Sequence, residues 1–302
     1  MPNALQIQRQ LAIEDQYSRK HIDGYIRTAI QDSPVMQAQM VHGVQLIQEY
    51  MSKLYYPSKN VRIAQLANMD IPQLVMDIFV GIAYCTKEEL FTSVTAQMAS
   101  RLKFNDKKAA ITTVAELIAV LCATDAFDIT KVDKFASLVI VSRLELSKEL
   151  LMFIENSSYL PPMVCLPMEL ENNYSSGYLT HNDSLILGSG NHHDGDICLD
   201  VLNTLNRVAL KLDTDFLSTV EEEPTFELDT PDKVNQWMNF KKQSYKFYLL
   251  IAQYGNKFYL NHKVDKRGRL YSQGYFINTQ GTSFKKACIE LAKQELVTGV
   301  PT

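Results

Sequence analysis

The run Asp265-Lys266-Arg267-Gly268-Arg269-Leu270-Tyr271, followed by Asn278-Thr279-Gln280-Gly281 and Lys285-Lys286, holds the residue types best suited to gripping a phosphate. A guanidinium makes paired bonds to phosphate oxygens, and a glycine beside it lets backbone approach a ligand closely. Asp265 is spaced to orient Arg267 or Arg269 through a charge-assisted bond. These residues bind; nothing among them transfers a group. As a bare pattern Asp-x-x-Gly-Arg is common, so its surroundings decide its meaning.

Other chemistries find less support. Asn191-His192-His193-Asp194-Gly195-Asp196 offers metal-ligand types, but adjacent histidines on extended backbone point to opposite sides and no His-Glu-x-x-His pattern accompanies them. The segment reads as a polar loop with a helix start at Asp194 or Asp196. Cys85, Cys122, Cys165, Cys198 and Cys288 contain no Cys-x-x-Cys pair. Cys85, Cys122 and Cys198 lie among apolar neighbours and read as small hydrophobes. Gly-x-Ser-x-Gly and Walker-type loops are missing, and Gly188-Ser189-Gly190 is too short to be more than a loop.

The elements that must position the basic run follow from periodicity. Residues 1–155 read as a helical domain, with turn signals at Asp32-Ser33-Pro34, Tyr56-Pro57-Ser58 and Phe104-Asn105-Asp106. Met36, Met40, Val44, Ile47, Met51 and Leu54 form one buried stripe; Ile111, Val114, Leu117, Ile118, Leu121 and Cys122 form another. Residues 156–194, with Pro161, Pro162 and Pro167, read as an irregular connecting region. Residues 195–255 read as two helices, a long amphipathic one from Cys198 to Phe216 and a second from Pro231, capped by Thr230 and stopped at Gly255. Over 256–302, Lys257–Val264 and Arg269–Gly274 flank the Asp265–Gly268 turn as a hairpin, and a short helix runs from Thr282 to Lys293.

With 302 residues, 46% of them hydrophobic, the chain can bury a sizeable core, and no run approaches the ~20 apolar residues of a bilayer span. No secretory signal pattern opens it, so a reducing cytosol is expected and a membrane is not. The net charge of −4 conceals an asymmetry: Lys233 to Lys293 carries +10 and the remainder −14. Tyr245, Phe247, Tyr254, Phe258, Tyr271, Tyr275 and other aromatics interleave the basic stretch. Clustered cations with planar side chains suit a phosphate backbone and exposed bases.

In context the motif resembles a known family. Asp-x-Arg-Gly-Arg-Leu-Tyr, then Asn-x-Gln-Gly, then a Lys-bearing helix ending Leu291-Ala292-Lys293, is similar to the start of the palm in the single-subunit RNA polymerases of T-odd phages and mitochondria. Upstream, Pro162-Met163-Val164-Cys165-Leu166-Pro167 resembles that family's Pro-Met-x-x-x-Pro segment. Ser176-Gly177-Tyr178-Leu179 resembles its Gly-Gly-Tyr segment with the first glycine replaced, and the helix with Asn203-Thr204-Leu205-Asn206 its Asn-rich helix. The resemblance is specific from Tyr159 to Val297, about half the chain. The family's metal-binding aspartates and its fingers Lys and Tyr follow the Asp-x-x-Gly-Arg element, and they are not in this sequence. The chain therefore resembles the small, N-terminal subunit of the heterodimeric RNA polymerases of N-four-type podophages.

That resemblance implies a mainly α fold: a helical N-terminal domain (1–155), a connecting region (156–194), helices including a short thumb (195–255), and the first hairpin and helix of an α+β palm (256–302) completed by a second chain. It implies that Asp265, Arg267, Gly268, Arg269, Tyr271, Gln280, Lys285 and Lys286 contact template and RNA–DNA hybrid. Lys241, Lys242 and Lys246 would touch backbone from the thumb. Mg2+ and nucleoside triphosphates would be held by the partner subunit, promoter opening left to a phage accessory factor, and the host cytoplasm would be the location. Ile277, Ile289, Leu291, Leu296 and Val297 would give an apolar edge for the partner. A second class stays open, a non-enzymatic single-stranded nucleic-acid-binding or transcription accessory protein using the same basic segment.

Overall fold

Serine, threonine and aspartate side chains close the amide ends of helices at the turns marked in the sequence. Ser33 accepts from the Met36 amide, Asp106 from Lys108 and Thr230 from Lys233. The computed structural model describes residues 4–132, 137–157, 159–188, 190–293 and 299. The chain divides into two units: unit 1 is Met1–Ser18 with Tyr159–Thr302, and unit 2 is Arg19–Ser158. The first helix, α1 (Ala4–Tyr17), thus folds with the C-terminal half.

Unit 2 contains α2 (Arg19–Asp32), α3 (Pro34–Ser52), α4 (Pro57–Ala64), α5 (Ile71–Ala83), β1 (Glu89–Leu90), α6 (Phe91–Met98), α7 (Lys107–Leu121), β2 (Phe127–Val132), β3 (Ser137–Ser142) and α8 (Lys148–Asn156). Its core joins Ile22, Ile26 and Ile30 of α2 to Ile47, Val75, Phe79, Leu117, Ile118 and Leu121. Of the stripes read from the sequence, Met36, Ile47, Val114, Leu117, Ile118 and Leu121 are buried and Met40, Val44, Met51, Ile111 and Cys122 are partly buried, while Leu54 lies beyond α3 and is 92% exposed. A purely helical reading of this region needs one correction. The strands form an antiparallel sheet in the order β1-β3-β2, with Ile129 opposite Ile140. Their residues are rich in β-branched side chains, which pack well on a pleated surface.

Unit 1 continues with α9 (Leu199–Asn206), β4 (Leu210–Leu212), α10 (Thr214–Thr219), α11 (Pro231–Gln253), β5 (His262–Val264), β6 (Leu270–Ser272), α12 (Ser283–Ala287) and β7 (Ile289–Leu291). Helix α11 starts and stops where expected, with Gly255 at φ +100° after it. Two expected helices are shorter. The Cys198–Phe216 run ends as a helix at Asn206 and continues as β4, and the terminal helix gives way to β7, which pairs antiparallel with β4. Lys211 and Glu290 face each other in that pair at 2.8 Å. Phe258 bridges the other side of Leu210, and Tyr259 bridges Met163. Ile277 is buried and Leu291 is 60% exposed, while Leu296 and Val297 lie outside the described residues. No single helix among the described residues is long and apolar enough to cross a membrane.

Candidate nucleic-acid interface

Strands β5 and β6 pair antiparallel around the turn Asp265–Gly268, closed by a Gly268 amide to Asp265 carbonyl bond of 2.9 Å and an Asp265 amide to Arg269 carbonyl bond of 3.0 Å. Gly268 has φ +79°, and a Cβ there would meet nothing within 4 Å. The turn thus needs glycine for its left-handed backbone, not for space.

Asp265 lies under this turn. Its Oδ1 accepts the amides of Arg267 (2.8 Å) and Arg269 (3.0 Å), and its Oδ2 accepts Arg269 Nε (2.8 Å) and forms an ion pair with Nη2 at 2.7 Å. Desolvation pushes its pKa up, but the Arg269 amide and guanidinium and the Arg267 amide outweigh it and hold the group at about 2. A carboxylate depressed in the folded state adds stability above its unfolded pKa of about 3.9 and loses it as pH falls toward 2. The clasp is therefore expected to stay closed at every pH above about 4. A carboxyl-detected NMR titration checks this, and an Asp265 midpoint at or above 4 would contradict it.

The clasp engages Nε and Nη2 of Arg269, and among the described residues no hydrogen bond is formed by Nη1, on a side chain 54% exposed. Lys263 stands opposite Tyr271 in the hairpin register, and the Arg269 guanidinium carbon is 5.7 Å from the Tyr271 ring centroid. By strand alternation Lys263, Arg269 and Tyr271 share one face, and Val264 on the other packs against Leu170, Leu185, Ile186 and Leu202. Lys263 is held by Asp183, an ion pair linking the hairpin to the 181–187 segment. Arg267 and Lys266 project from the exposed tip.

The Asn-x-Gln motif fixes the loop behind this face. Gln280 accepts the Ser272 amide (2.9 Å) and donates to the Leu270 carbonyl (3.1 Å), taking the place of a strand along the edge of β6. Asn278 donates to the carbonyls of Gly274 and Ser272 and accepts from the Gln280 amide and the Ser272 hydroxyl. Gln280 is thus engaged at both ends of its amide within the protein.

The remaining basic residues divide. Lys286 on α12 and Lys242 and Lys246 on α11 are exposed. Lys241 is paired with Glu221 at 3.0 Å. Lys285 donates to the Tyr275 carbonyl at 2.7 Å and sits over the Tyr275 and Phe240 rings; burial pushes its pKa down, with Glu222 opposing. Sequence reasoning left Lys263 out of the site, although its place two residues before Asp265 on the same strand face was the available signal. It also missed Glu221 and Glu222 as neighbours of these lysines, because their pairing is tertiary.

Asp265 and Glu290, the two acids of the basic stretch, are bound by Arg269 and Lys211. Among the described residues no three His, Cys, Asp or Glu side chains converge as a metal site, so these residues do not fit a metal-pair centre. His192 meets Asp194 at 3.2 Å in the polar loop, and helix α9 begins later, at Leu199. Burial pushes the thiols of Cys85 and Cys288 up to about 12 and that of Cys165 to about 11, which keeps them unreactive near neutrality.

The chain is 32% identical over 144 residues to a probable DNA-directed RNA polymerase of Gelasinospora sp. (strain G114), a match covering 43% of this chain and 17% of that relative's length. No protein-family model matches. The similarity supports a polymerase-like relationship over the matched residues.

Proposed function

We propose that this chain is a subunit of a phage DNA-directed RNA polymerase, contributing the N-terminal domain, a short thumb and the hairpin that holds template and RNA–DNA hybrid. The metal-binding aspartates, Mg2+, the fingers and the nucleoside triphosphate site belong to a second polypeptide in a heterodimer, and promoter opening falls to an accessory factor. The observation that carries this reading is the Asp265 clasp, which fixes the half-exposed Arg269 guanidinium beside Tyr271 on an exposed hairpin face. Partial identity to a probable RNA polymerase supports it. So does the engagement of Asp265 and Glu290 by basic partners.

The test joins binding to synthesis. Arg269→Ala should weaken RNA–DNA hybrid binding by about 1.5–3 kcal/mol, the range for a charge-assisted bond, and raise abortive products in the assembled enzyme while leaving the fold unchanged. Fluorescence anisotropy at fixed salt and gel analysis of short transcripts measure these effects. Full RNA synthesis on single-stranded template by the lone chain would overturn the heterodimer. Hybrid binding without any synthesis after co-expression with the neighbouring open reading frame would favour an accessory protein.

A further inference from the structure

Tyr159 and Tyr275 stack nearly parallel, with centroids 4.0 Å apart and planes 8° apart, although the residues are 39% and 45% exposed. Aromatic pairs usually prefer wider offset or edge-on arrangements. Here the surroundings impose the stack. Phe276 lies 5.3 Å from one centroid and 5.0 Å from the other, edge-on to both, so it stands beside the pair and covers neither outer face. Phe240 meets Tyr275 edge-on at 6.1 Å and is itself stacked on Trp237. The Lys285 ammonium sits 4.8 Å from the Tyr275 centroid, tied to that residue's carbonyl. The Lys285 ammonium and the Tyr159 ring thus both lie against the Tyr275 ring, and Tyr159 stays 39% exposed.

From this geometry we infer that Tyr159 is a stacking platform for an unpaired nucleobase. The inference rests on the nucleic-acid reading above and adds to it a site for a base, where the hairpin serves phosphates. Every base has a flat π face, which an exposed ring accepts without regard to sequence. Charge favours a nucleic acid over another planar occupant: Lys285 lies against the Tyr275 ring and exposed Lys286 follows it on α12. Position favours it too. Tyr275 follows Arg269 by six residues, a reach of at most ~20 Å, on a loop that Asn278 and Gln280 hold to β6. A single strand with a phosphate at Arg269 can carry one of its bases to Tyr159.

The test uses the full chain and short single-stranded oligonucleotides, one DNA and one RNA, each compared with a fully abasic strand of the same length and charge. The wild-type chain should bind the base-bearing strand about tenfold more tightly than the abasic one. Tyr159→Ala should remove that difference without weakening abasic binding, and Tyr159→Phe should keep it. Arg269→Ala should weaken both strands alike. The DNA and RNA arms identify which strand supplies the base. Equal wild-type binding of base-bearing and abasic strands overturns the platform and needs no variant. A Tyr159→Ala loss shared equally by both strands also overturns it. Failure of the wild type to bind any strand or the RNA–DNA hybrid would instead bring down the nucleic-acid reading itself.

Discussion

Gly177→Ala is expected to destabilise unit 1 by about 3 kcal/mol or more, the upper range for overpacking. The added methyl carbon would lie 1.9 Å from Asn261 Oδ1, 2.8 Å from Asn261 Cγ and 2.9 Å from Pro167 Cβ. Asn261 cannot swing away cheaply. It is buried, its Nδ2 contacts Met163 Sδ at 3.3 Å, and its carbonyl accepts the Gln273 amide at 2.7 Å. Among the described residues its Oδ1 has no hydrogen-bond partner. Removing the side chain therefore makes room at a modest cost, and the Gly177→Ala/Asn261→Ala double variant should recover much of the loss. Urea unfolding followed by the fluorescence of Trp237, the single tryptophan, reads unit 1 directly. A single variant within 1 kcal/mol of wild type (order of magnitude ~1, the scale of an ordinary surface change) would show that close approach is not what holds glycine here. Ser176, where the resembling segment has its first glycine, accepts the Tyr178 amide at 3.1 Å, so a short side-chain turn serves that position.

Local signals made the helices of unit 2 and α11 legible, because caps and stripes there agree with the final packing. They failed where a distant strand decides. Leu205, Val208, Ala209 and Leu212 keep helical spacing, yet the Asn206 Oδ1 accepts the His262 amide at 2.9 Å, and Leu210-Lys211-Leu212 is drawn into pairing with β7. Leu210 and Leu212 are buried and Lys211 is not, an alternation of period two inside a period-3.6 pattern. Strand β7 was hidden for the same reason: three residues are too few for periodicity to declare.

The site divides along a similar line. Asp265, Gly268 and Arg269 were legible because their contacts lie within five residues, and the turn builds itself from them. Charge counting could not separate Lys286, exposed on α12, from Lys285, drawn over Tyr275 and Phe240, although the two are adjacent. Nor could it find Lys241 held by Glu221, twenty residues earlier. Formal charge measures what a segment carries; pairing decides how much of it a phosphate meets.

Glu14→Ala should cost about 3 kcal/mol, as expected when several donors around a buried acceptor lose it together. Glu14 is fully buried on α1. Its Oε1 accepts Gln10 Nε2 and the Leu179 amide, both at 2.9 Å; its Oε2 accepts the Thr180 amide at 2.9 Å and the Thr180 hydroxyl at 2.5 Å. Gln10 completes the arrangement by accepting the Val164 amide at 2.9 Å. Two polar side chains one helical turn apart thereby satisfy three backbone amides of a segment with few regular hydrogen bonds of its own, while Ile13 and Tyr17 enter the core. Alanine would take this acceptor from the Leu179 and Thr180 amides, the Thr180 hydroxyl and Gln10 Nε2. Glu14→Gln keeps the shape but turns an amide nitrogen toward donors, so its cost should fall between wild type and alanine. Hydrogen exchange at Leu179 and Thr180 should accelerate in both variants, ahead of global unfolding. Unchanged exchange there, with a stability loss under about 1 kcal/mol, would mean that α1 docks through Ile13 and Tyr17 alone. The expected result instead makes a polar pair near the start of the chain a condition for ordering the 159–180 segment, and with it the base under Tyr159 and the Gly177–Asn261 contact behind the hairpin.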